Sequence, residues 1–477
     1  MKYFSQRTEK EIENKYIAGA KLIESKELNK EIKKDKEPIS IIIGDVNFPI
    51  SSEVKHTLIV GRPGVGKTVC LTQILQNLKN RNSKGVVYDF KGDYLAKFFN
   101  PEKDIIFNPL DSRGIKWSIF SEIKTPMDIQ AIASSLIPDP IGQDPFWIQA
   151  GRNVFTGILH YCYQQNKKTN KDIWETLTLP LTSLANILRG TKGAEAGYTY
   201  IQDPASKQAL GVVATMMTYT SFFEYMTDGD DDFSISSWIS QDEKRGFIFI
   251  TNYSDIQNTL KPVLSLFIDL VSRKLLSLSD NINRRIYFLI DEFGTLQKLS
   301  SIKNLLTLSR SKGGSVWLGI QDIGQIEKLY GRELRQAIVN ACGTNIIFNV
   351  ADPDTAQFFS RKIGDIEYSY IDETKSMGVE DYRDGISLSR KEKTKPLILP
   401  SDIMNLRDLK CFIKIPNYYI TQTSLKYKSF TDVNPSFLMR EGLILSEYSE
   451  PTSINIVSHE INKEEEQKKD YDYTFEF

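Results

Sequence analysis

The chain contains six short runs of apolar residues. Within each run the hydrophobic residues follow one another, without the alternation of apolar and polar residues that marks a half-exposed strand. Uninterrupted runs of this length are typical of strands buried on both faces, which occur in parallel sheets covered by helices. Segments with helical spacing separate them. The pattern therefore predicts an α/β fold with a central, mostly parallel sheet. The runs occupy residues 56–60, 85–89, 246–251, 285–291, 315–321 and 344–349.

Between residues 120 and 237 this strand pattern gives way to apolar residues at helical spacing. We predict an all-α domain there, inserted into an α/β domain that occupies residues 38–119 and 238–430 and begins with a strand at 38–45. Residues 1–37 are predicted to form a charged arm, whose segment 17–23 could dock on the body, and residues 431–477 a polar, acidic tail. The two predicted helical stripes comprise Val154, Phe155, Ile158, Leu159 and Cys162, and Leu210, Val213, Met216 and Met217.

The composition limits the classes of function. Of 477 residues, 40% are hydrophobic and 25% charged, and the formal net charge is −1. No global positive field attracts nucleic acid, so any contacts with DNA have to be local. The four cysteines are scattered in apolar surroundings, which predicts reduced core thiols, and with only three histidines a histidine-based metal site is not expected. Because no apolar run approaches about 18 residues and no signal peptide is present, we expect a cytoplasmic protein.

One segment carries a specific chemistry: residues 61–68 fit the phosphate-binding pattern G-x-x-x-x-G-K-[ST] without a mismatch. A predicted strand precedes it and a predicted helix follows it, which is the context that this motif needs. Glycines allow backbone N–H groups to surround phosphate oxygens, Lys67 would reach the β- and γ-phosphates of ATP, and Thr68 would ligate Mg²⁺. The predicted nucleotide-binding residues are Gly61, Gly64, Val65, Gly66, Lys67, Thr68 and Val69.

A second half of the same site is predicted where the apolar run 285–291 ends in two carboxylates. Asp291 could hold Mg²⁺ directly or through water, and Glu292 could act as general base on the attacking water. The alternative is that the Asp-Glu pair merely begins a turn.

Two further positions could take part in hydrolysis. Arg310 lies between a predicted helix and a predicted strand, where ring ATPases often present an arginine to the γ-phosphate of a neighbouring subunit. The alternative is a surface arginine favoured by the helix dipole. Gln321 ends the next strand, where it could sense the γ-phosphate or simply cap the strand.

With these motifs the chain resembles the type IV coupling proteins of conjugation, TraD-like in particular, within the FtsK–HerA superfamily of P-loop ATPases. Besides the two nucleotide motifs, the resemblance rests on several stretches between about residues 17 and 427, of which the second and third are the most specific. These are Tyr-Asp-Phe-Lys-Gly-Asp at 88–93, Asn-Pro-Leu-Asp-Ser-Arg at 108–113 with Trp117, Asp-Pro-Phe-Trp at 144–147 with Gly151 and Arg152, and Asp-Glu-Phe-Gly at 291–294.

The resemblance implies a RecA-like P-loop NTPase domain and an all-α domain facing the cytoplasm. It implies a homo-hexameric ring with ATP at the subunit interfaces, Arg310 acting in trans and Gln321 as sensor. A chain that is monomeric until it assembles on DNA or membrane is compatible with the same resemblance. Its partners would be single- or double-stranded DNA, a relaxase and components of a type IV secretion channel.

Family members usually begin with transmembrane helices, and this sequence shows none. Another subunit could supply the anchor, the protein could be a soluble relative with a different role, or the sequence could represent only the soluble part. Any membrane association of the chain itself would be peripheral at the inner membrane.

Three functions therefore remain open: a pump for single-stranded DNA, an adaptor that recruits protein effectors to a secretion machine, and a soluble HerA- or FtsK-like DNA motor. The sequence does not identify the residues that would contact DNA. Lys91, Lys97 and Lys103 could face a pore, although lysines after a strand are usually just solvated. The aromatic residues at 98–99 and 146–147 could stack on bases, although a place in a domain-interface core is favoured for these aromatics. The acidic tail could dock an accessory protein or serve as a solubilising end.

Overall fold

The structure, a computed structural model, describes residues 15–142, 144–228, 233–376 and 385–443. Among these residues it contains fifteen strands, sixteen α-helices and four short 3₁₀ turns. The strands are β1 (Lys15–Gly19), β2 (Leu22–Glu24), β3 (Ile39–Ile43), β4 (Val46–Pro49), β5 (Thr57–Val60), β6 (Lys84–Asp89), β7 (Ile105–Phe107), β8 (Gly246–Thr251), β9 (Ile286–Ile290), β10 (Gly314–Ile320), β11 (Thr344–Ile347), β12 (Asp365–Ser376), β13 (Gly385–Pro396), β14 (Lys410–Lys414) and β15 (Ile420–Ser424).

Helices separate single strands or adjacent pairs of strands, and in the region between β7 and β8 seven helices follow one another. They are α1 (Ser25–Lys34), α2 (Ile50–Glu53), α3 (Lys67–Asn80), α4 (Asp93–Phe98), α5 (Pro126–Leu136), α6 (Phe146–Gln164), α7 (Asn170–Leu177), α8 (Leu181–Arg189), α9 (Glu195–Ile201), α10 (Lys207–Thr220), α11 (Ile235–Ser240), α12 (Gln257–Leu276), α13 (Ile302–Leu308), α14 (Ile323–Ala341), α15 (Pro353–Ile363) and α16 (Pro400–Met404).

The central sheet has ten strands in the order β2-β15-β14-β11-β5-β10-β9-β6-β8-β7. Only β14 runs against its neighbours. The six predicted apolar runs form β5, β6, β8, β9, β10 and β11, and every residue of these strands is buried. Successive side chains of one strand enter opposite faces: Leu58 and Val60 join one hydrophobic cluster and Ile59 the other. The predicted α/β class with a mostly parallel sheet is confirmed.

Helices cover both faces of the sheet. On one face α12 and the helical region α5–α11 share a single hydrophobic cluster with the strands. On the other face α3, α1 and the β3–β4 hairpin form a second cluster. The predicted strand at 38–45 is thus real, but it forms this separate hairpin and does not enter the central sheet.

The first predicted stripe of the helical region is fully buried on α6. The second predicted stripe lies one position away from the face of α10 that is buried. Ala209, Val212 and Met216 of α10 are buried, whereas Leu210 is 57% exposed. The prediction that the aromatic pair at 146–147 lies in a core is also wrong, because Phe146 and Trp147 are 37% and 42% exposed.

The predicted charged arm is more than a solvated segment. Its segment 17–23 does dock, since β1 pairs with β12 and β2 pairs with β15 at the edge of the central sheet. Helix α1 follows, with Leu28 and Ile32 buried. Residues 1–14 lie outside the described part of the chain.

At the other end, the chain beyond residue 430 first packs on the body. The N–H groups of Val433 and Asn434 donate to the carbonyl of Ala96, and Met439 bridges to Asp111. The acidic stretch from residue 464 onward, predicted as the end of a tail, lies outside the described residues. Within the described part, all four cysteines are buried free thiols, and no helix combines the length and apolar character needed to cross a membrane.

Candidate nucleotide site

The phosphate-binding motif forms the loop between β5 and α3, at the carboxyl edge of the sheet. Gly64 and Gly66 have φ angles of 83° and 117°, a region that favours glycine. Helix α3 begins at Lys67 directly after the loop, so its free N–H groups and dipole point toward the loop. The backbone therefore has the concave, N–H-lined form that binds an anion.

Two distant segments hold this loop in place, and the sequence did not single them out. Asn349, just after β11, accepts hydrogen bonds from Arg62 at its backbone carbonyl (2.8 Å) and its side-chain Oδ1 (3.0 Å). The N–H of Leu409 donates to the carbonyl of Val65 at 2.8 Å. Leu409 also packs so closely on Gly66 that a side chain at that position would meet it at 2.9 Å.

Lys67 is 7% exposed, and its Nζ donates to the carbonyls of Gly61 and Arg62. Burial lowers its pKa, while the carboxylates of Glu292 and Asp291 oppose this shift. The three charged side chains thus lie in one electrostatic neighbourhood, as the two nucleotide motifs predicted.

Asp291 and Glu292 follow the last residue of β9, on the same edge of the sheet as the phosphate loop. Burial raises the pKa of Asp291, whereas the neighbouring hydroxyl of Tyr94 and the charge of Lys67 lower it. Burial likewise raises the pKa of Glu292, against the opposing effects of Gln321 and Lys67. Two carboxylates with raised pKa values side by side form a place where a cation would be stabilised.

The chemistry of these groups fits a magnesium ion. The hydroxyl of Tyr94 lies buried beside both Asp291 and Thr68. A threonine hydroxyl and an aspartate carboxylate are hard oxygen ligands of the kind that Mg²⁺ takes together with phosphate oxygens.

Gln321 lies one residue beyond the end of β10, which is the neighbour of β9. Its Nε2 donates to Oε2 of Glu292 at 3.1 Å. The other oxygen of this carboxylate, Oε1, is buried and has no hydrogen-bond partner among the described residues.

The turn after Glu292 explains the rest of the Asp-Glu-Phe-Gly stretch. Phe293 is buried and stacks on Tyr330 of α14, with ring centroids 5.4 Å apart and planes 8° from parallel. Gly294 leaves room for Gln325, whose Oε1 would lie 2.5 Å from any side chain at that position. The two residues position α14 and, with it, the loop that carries Gln321.

Asp89, at the end of β6, is a site residue to which the sequence analysis gave no role. It is 1% exposed and accepts hydrogen bonds from the N–H groups of Tyr94 (2.9 Å) and Leu95 (2.8 Å), which hold the start of α4. Burial raises its pKa to about 7, and Asp93 and Asp291 act in the same direction. The sequence feature that could have identified Asp89 is its place as a carboxylate at the end of an apolar run, the run that forms the neighbour of β9.

Arg310 lies in the exposed turn between α13 and β10, at the amino edge of the sheet. It is close enough to buried His56, which precedes β5, to help lower the pKa of that imidazole. The strand β10, with seven residues, lies between Arg310 and Gln321. At about 3.3 Å per residue this strand is about 23 Å long. The structure therefore brings Lys67, Thr68, Asp291, Glu292 and Gln321 together but leaves Arg310 of the same chain far away.

Comparison with known proteins adds three findings. Residues 40–425 match the family model described as the type IV secretion-system coupling protein DNA-binding domain. The chain is 30% identical over 438 residues to the coupling protein TraD of Escherichia coli K12, covering 90% of this chain and 60% of that protein. It is 23% identical over 404 residues to a conjugal transfer protein TraG of Escherichia coli, covering 74% of this chain and 62% of the relative. The chain thus spans roughly three fifths of the length of these relatives.

Among solved structures, the unbound bacterial conjugative coupling protein TrwBdeltaN70 superimposes with a TM-score of 0.78 and 26% identity, over 90% of this chain and 97% of the other. The plasmid coupling protein TrwB in complex with ADP and Mg²⁺ gives the same TM-score and identity, over 90% and 98% of the two chains.

Proposed function

The chain belongs to the type IV secretion-system coupling proteins, and on this premise we propose that it hydrolyses ATP to move single-stranded DNA, together with an attached relaxase, into a type IV secretion channel. The observation that carries the proposal is the convergence of Lys67, Asp291, Glu292 and Gln321 around one phosphate loop. Membership of the family agrees with the resemblance drawn from the motifs.

The nucleotide would bind at residues 61–69, with its phosphates on the N–H groups of Gly61, Gly64, Val65, Gly66, Lys67, Thr68 and Val69. Support comes from the positive-φ glycines, from the helix start at Lys67, and from a structural relative that was solved with ADP and Mg²⁺. Thr68 and Asp291 would hold the Mg²⁺, whose contribution is to neutralise charge that develops on the phosphates.

Glu292 would take the proton of the attacking water. Its Oε1 is unpartnered, whereas Oε2 is tied to Gln321, so one oxygen is positioned and the other is available. The raised pKa of the carboxyl makes it a better base than an exposed glutamate. Lys67, turned from the loop carbonyls toward the phosphates, would stabilise the negative charge there.

Arg310 would act on the nucleotide of a neighbouring copy in a homo-hexameric ring. The support is its exposure at the edge of the sheet opposite the phosphate loop of its own chain. A ring that closes by a repeated head-to-tail contact brings opposite edges of successive subunits together. In this arrangement every active site is incomplete until a second copy supplies its arginine.

Translocation is tested with a single-stranded oligonucleotide that carries a terminal biotin–streptavidin block. We expect ATP-dependent displacement of streptavidin by the wild-type protein and none by Glu292→Gln, which should still bind nucleotide. ATP turnover without displacement, together with capture of protein effectors, would overturn the pump and support the adaptor function instead.

A further inference from the structure

A three-stranded antiparallel sheet lies next to the central sheet and contributes none of the nucleotide-site residues. Its strands follow one another in the order β1, β12 and β13. β1 leads into β2 of the central sheet, and the N–H of Ala20 between them donates to the carbonyl of Asp365 at 2.8 Å. β13 is the outer strand, because among the described residues no strand besides β12 pairs with it. One edge of this sheet is therefore unpaired within the described part of the chain.

One face of the sheet carries three tyrosines and three lysines. Side chains alternate between the two faces along a strand, and residues directly opposite each other on antiparallel strands share a face. Tyr368 of β12 lies opposite Lys393 of β13 and, on its other side, opposite Tyr16 of β1. The same alternation adds residues two positions away on β12 and β13. The tyrosine–lysine face therefore comprises Tyr16, Tyr368, Tyr370, Lys391, Lys393 and Lys395.

Contacts between the side chains confirm that these groups form one surface. The ring centroids of Tyr368 and Tyr370 are 6.1 Å apart. Nζ of Lys395 lies 4.7 Å from the centroid of the Tyr368 ring, a distance at which an ammonium group is attracted to the face of the ring. Two aromatic rings and a cation thus lie side by side on the sheet.

The tyrosine–lysine face is open to solvent and has a net positive charge. Tyr16 is 45% exposed and the three lysines are exposed, whereas Ser369, on the opposite face, is 6% exposed. Lys391 pairs with Asp372, and the other two lysines of the face form no ion pair with any described residue. Two ammonium groups are therefore available to a ligand, on a chain whose formal net charge is −1.

The combination of rings and cations on one face indicates the kind of ligand. Lysines on an outer strand can simply prevent it from pairing with another sheet, but that role does not require aromatic rings beside the charges. Rings flanked by cations match a single strand of DNA, because its bases stack on the rings and its phosphates attract the lysines. Sheet faces of RNA-binding modules hold two or three bases on aromatic side chains in this way.

We propose that the tyrosine–lysine face is a binding surface for single-stranded DNA, with bases stacked on its tyrosines and phosphates held by its lysines. The proposal rests on the proposed function of the chain as a DNA pump, which supplies this ligand. Tyr368 and Tyr370 are two residues apart on β12, about 7 Å at about 3.4 Å per residue, so each ring can hold a different base. Because stacking and phosphate contacts read no base edge, the surface binds without sequence preference.

The tyrosines are tested by the fluorescence anisotropy of a labelled oligonucleotide, single-stranded or duplex, between about 50 and 200 mM salt. Tyr368→Ala should weaken binding of the single strand by about 5- to 150-fold, the range for one stacked base, at every salt concentration. Tyr368→Phe, which keeps the ring, should bind like the wild type. Tyr370→Ala is an independent variant, for which we expect a loss in the same range.

The lysines are tested by the salt dependence of the same binding. The logarithm of the binding constant falls with the logarithm of the salt concentration by about 0.7 for each phosphate of a single strand that the protein contacts. A variant that combines Lys393→Gln with Lys395→Gln should therefore have a slope that is shallower by about 1.4. Arg390→Gln is the matched control, because it removes one cation from the opposite face of the same strand. It should keep the wild-type slope and affinity.

Wild-type affinity of Tyr368→Ala and Tyr370→Ala for the single strand would overturn the proposal. A wild-type slope in the double lysine variant would also overturn it, and so would a loss in Arg390→Gln as large as in that variant, which would indicate diffuse electrostatic attraction. Duplex bound as tightly as the single strand would contradict stacking. If the variants bind DNA like the wild type but lose binding to vesicles that contain phosphatidylglycerol, the face contacts an anionic membrane instead.

The result for this surface is separable from the result for the pump. If the tyrosine and lysine variants lose affinity but the wild type displaces no streptavidin, the pump function fails and the binding surface stands. If the wild type displaces streptavidin and the variants bind single-stranded DNA like the wild type, the surface fails and the pump stands.

Discussion

Gln321 Nε2 donates a hydrogen bond of 3.1 Å to Oε2 of Glu292, and this bond connects the carboxyl ends of two neighbouring parallel strands, β9 and β10. It fixes one oxygen of the carboxylate while Oε1 remains buried and unpartnered within the described residues. A glutamine that senses the γ-phosphate would thereby reposition the base directly. Strand-end capping and base positioning are then two consequences of the same contact.

Glu292→Gln is expected to retain nucleotide binding and to lose turnover, because an amide of the same shape cannot accept the proton of water. General bases typically contribute about 10²- to 10⁴-fold to the rate, so the turnover rate should decrease by a factor in that range. Single-turnover hydrolysis and nucleotide affinity are measured on the same preparation. Normal turnover in this variant would remove Glu292 from its proposed role.

Gln321→Ala should change the pH dependence of hydrolysis. The hydrogen bond from Gln321 lowers the pKa of Glu292, so its removal raises that pKa. A base must be ionised to act, and a higher pKa leaves it protonated over more of the acidic range. We expect the acidic limb of the kcat/KM profile to move to higher pH. An acidic limb at the wild-type position would show that Gln321 does not tune Glu292.

Much of this site follows from the sequence because it depends on local chemistry and one topological rule. Short segments of sequence are enough to recognise the glycines of the phosphate loop, the carboxylates after β9 and the glutamine after β10. Continuous apolar runs predict parallel strands, and the carboxyl ends of parallel strands meet at one edge.

Other parts depend on contacts between remote segments and leave no local signal. Arg62 and Asn349, which hold the phosphate loop, are 287 residues apart. Leu409 clamps the loop by a backbone N–H that any residue except proline could supply. The edge strand β2 arises from an arm whose composition predicts solvation, because a three-residue strand is decided by its pairing partner and not by its own pattern.

Asp89→Asn should make thermal stability less dependent on pH. The folded pKa of Asp89 is raised to about 7, above the unfolded value of 3.8, chiefly by burial. The folded state therefore binds more protons between these values, and the wild type loses stability as pH rises through the window from about 4 to about 7. An amide at this position does not titrate, but it can still accept from the N–H groups of α4.

The Tm of Asp89→Asn minus that of the wild type, measured without nucleotide, should therefore be larger at pH 7.5 than at pH 5. A difference that is the same at both pH values would mean that Asp89 does not titrate in this window. Asp45→Asn is the control, and its Tm difference from the wild type should be the same at both pH values. Hydrogen bonds from Ser25 and Thr423 lower the pKa of Asp45 below 3.8 despite its desolvation, so this carboxyl is ionised at pH 5 and at pH 7.5 alike.

Arg310→Ala and Lys67→Ala should each be inactive but should complement one another when mixed. An arginine supplied in trans to a transferring phosphate contributes about 10³- to 10⁵-fold to the rate. In a mixed ring, some interfaces pair an intact phosphate loop of an Arg310→Ala subunit with an intact arginine of a Lys67→Ala subunit, and these sites are complete. No recovery in a ring shown to contain both variants would contradict action in trans.

The most direct measurement is the rate of ATP hydrolysis per subunit as a function of protein concentration, with and without single-stranded DNA, using Glu292→Gln as the blank. An assembling DNA motor with its active sites at subunit interfaces predicts a steep rise with concentration and a further stimulation by DNA. A rate per subunit that depends on neither concentration nor DNA would contradict the account, because each chain would then hydrolyse ATP without the Arg310 of a neighbour.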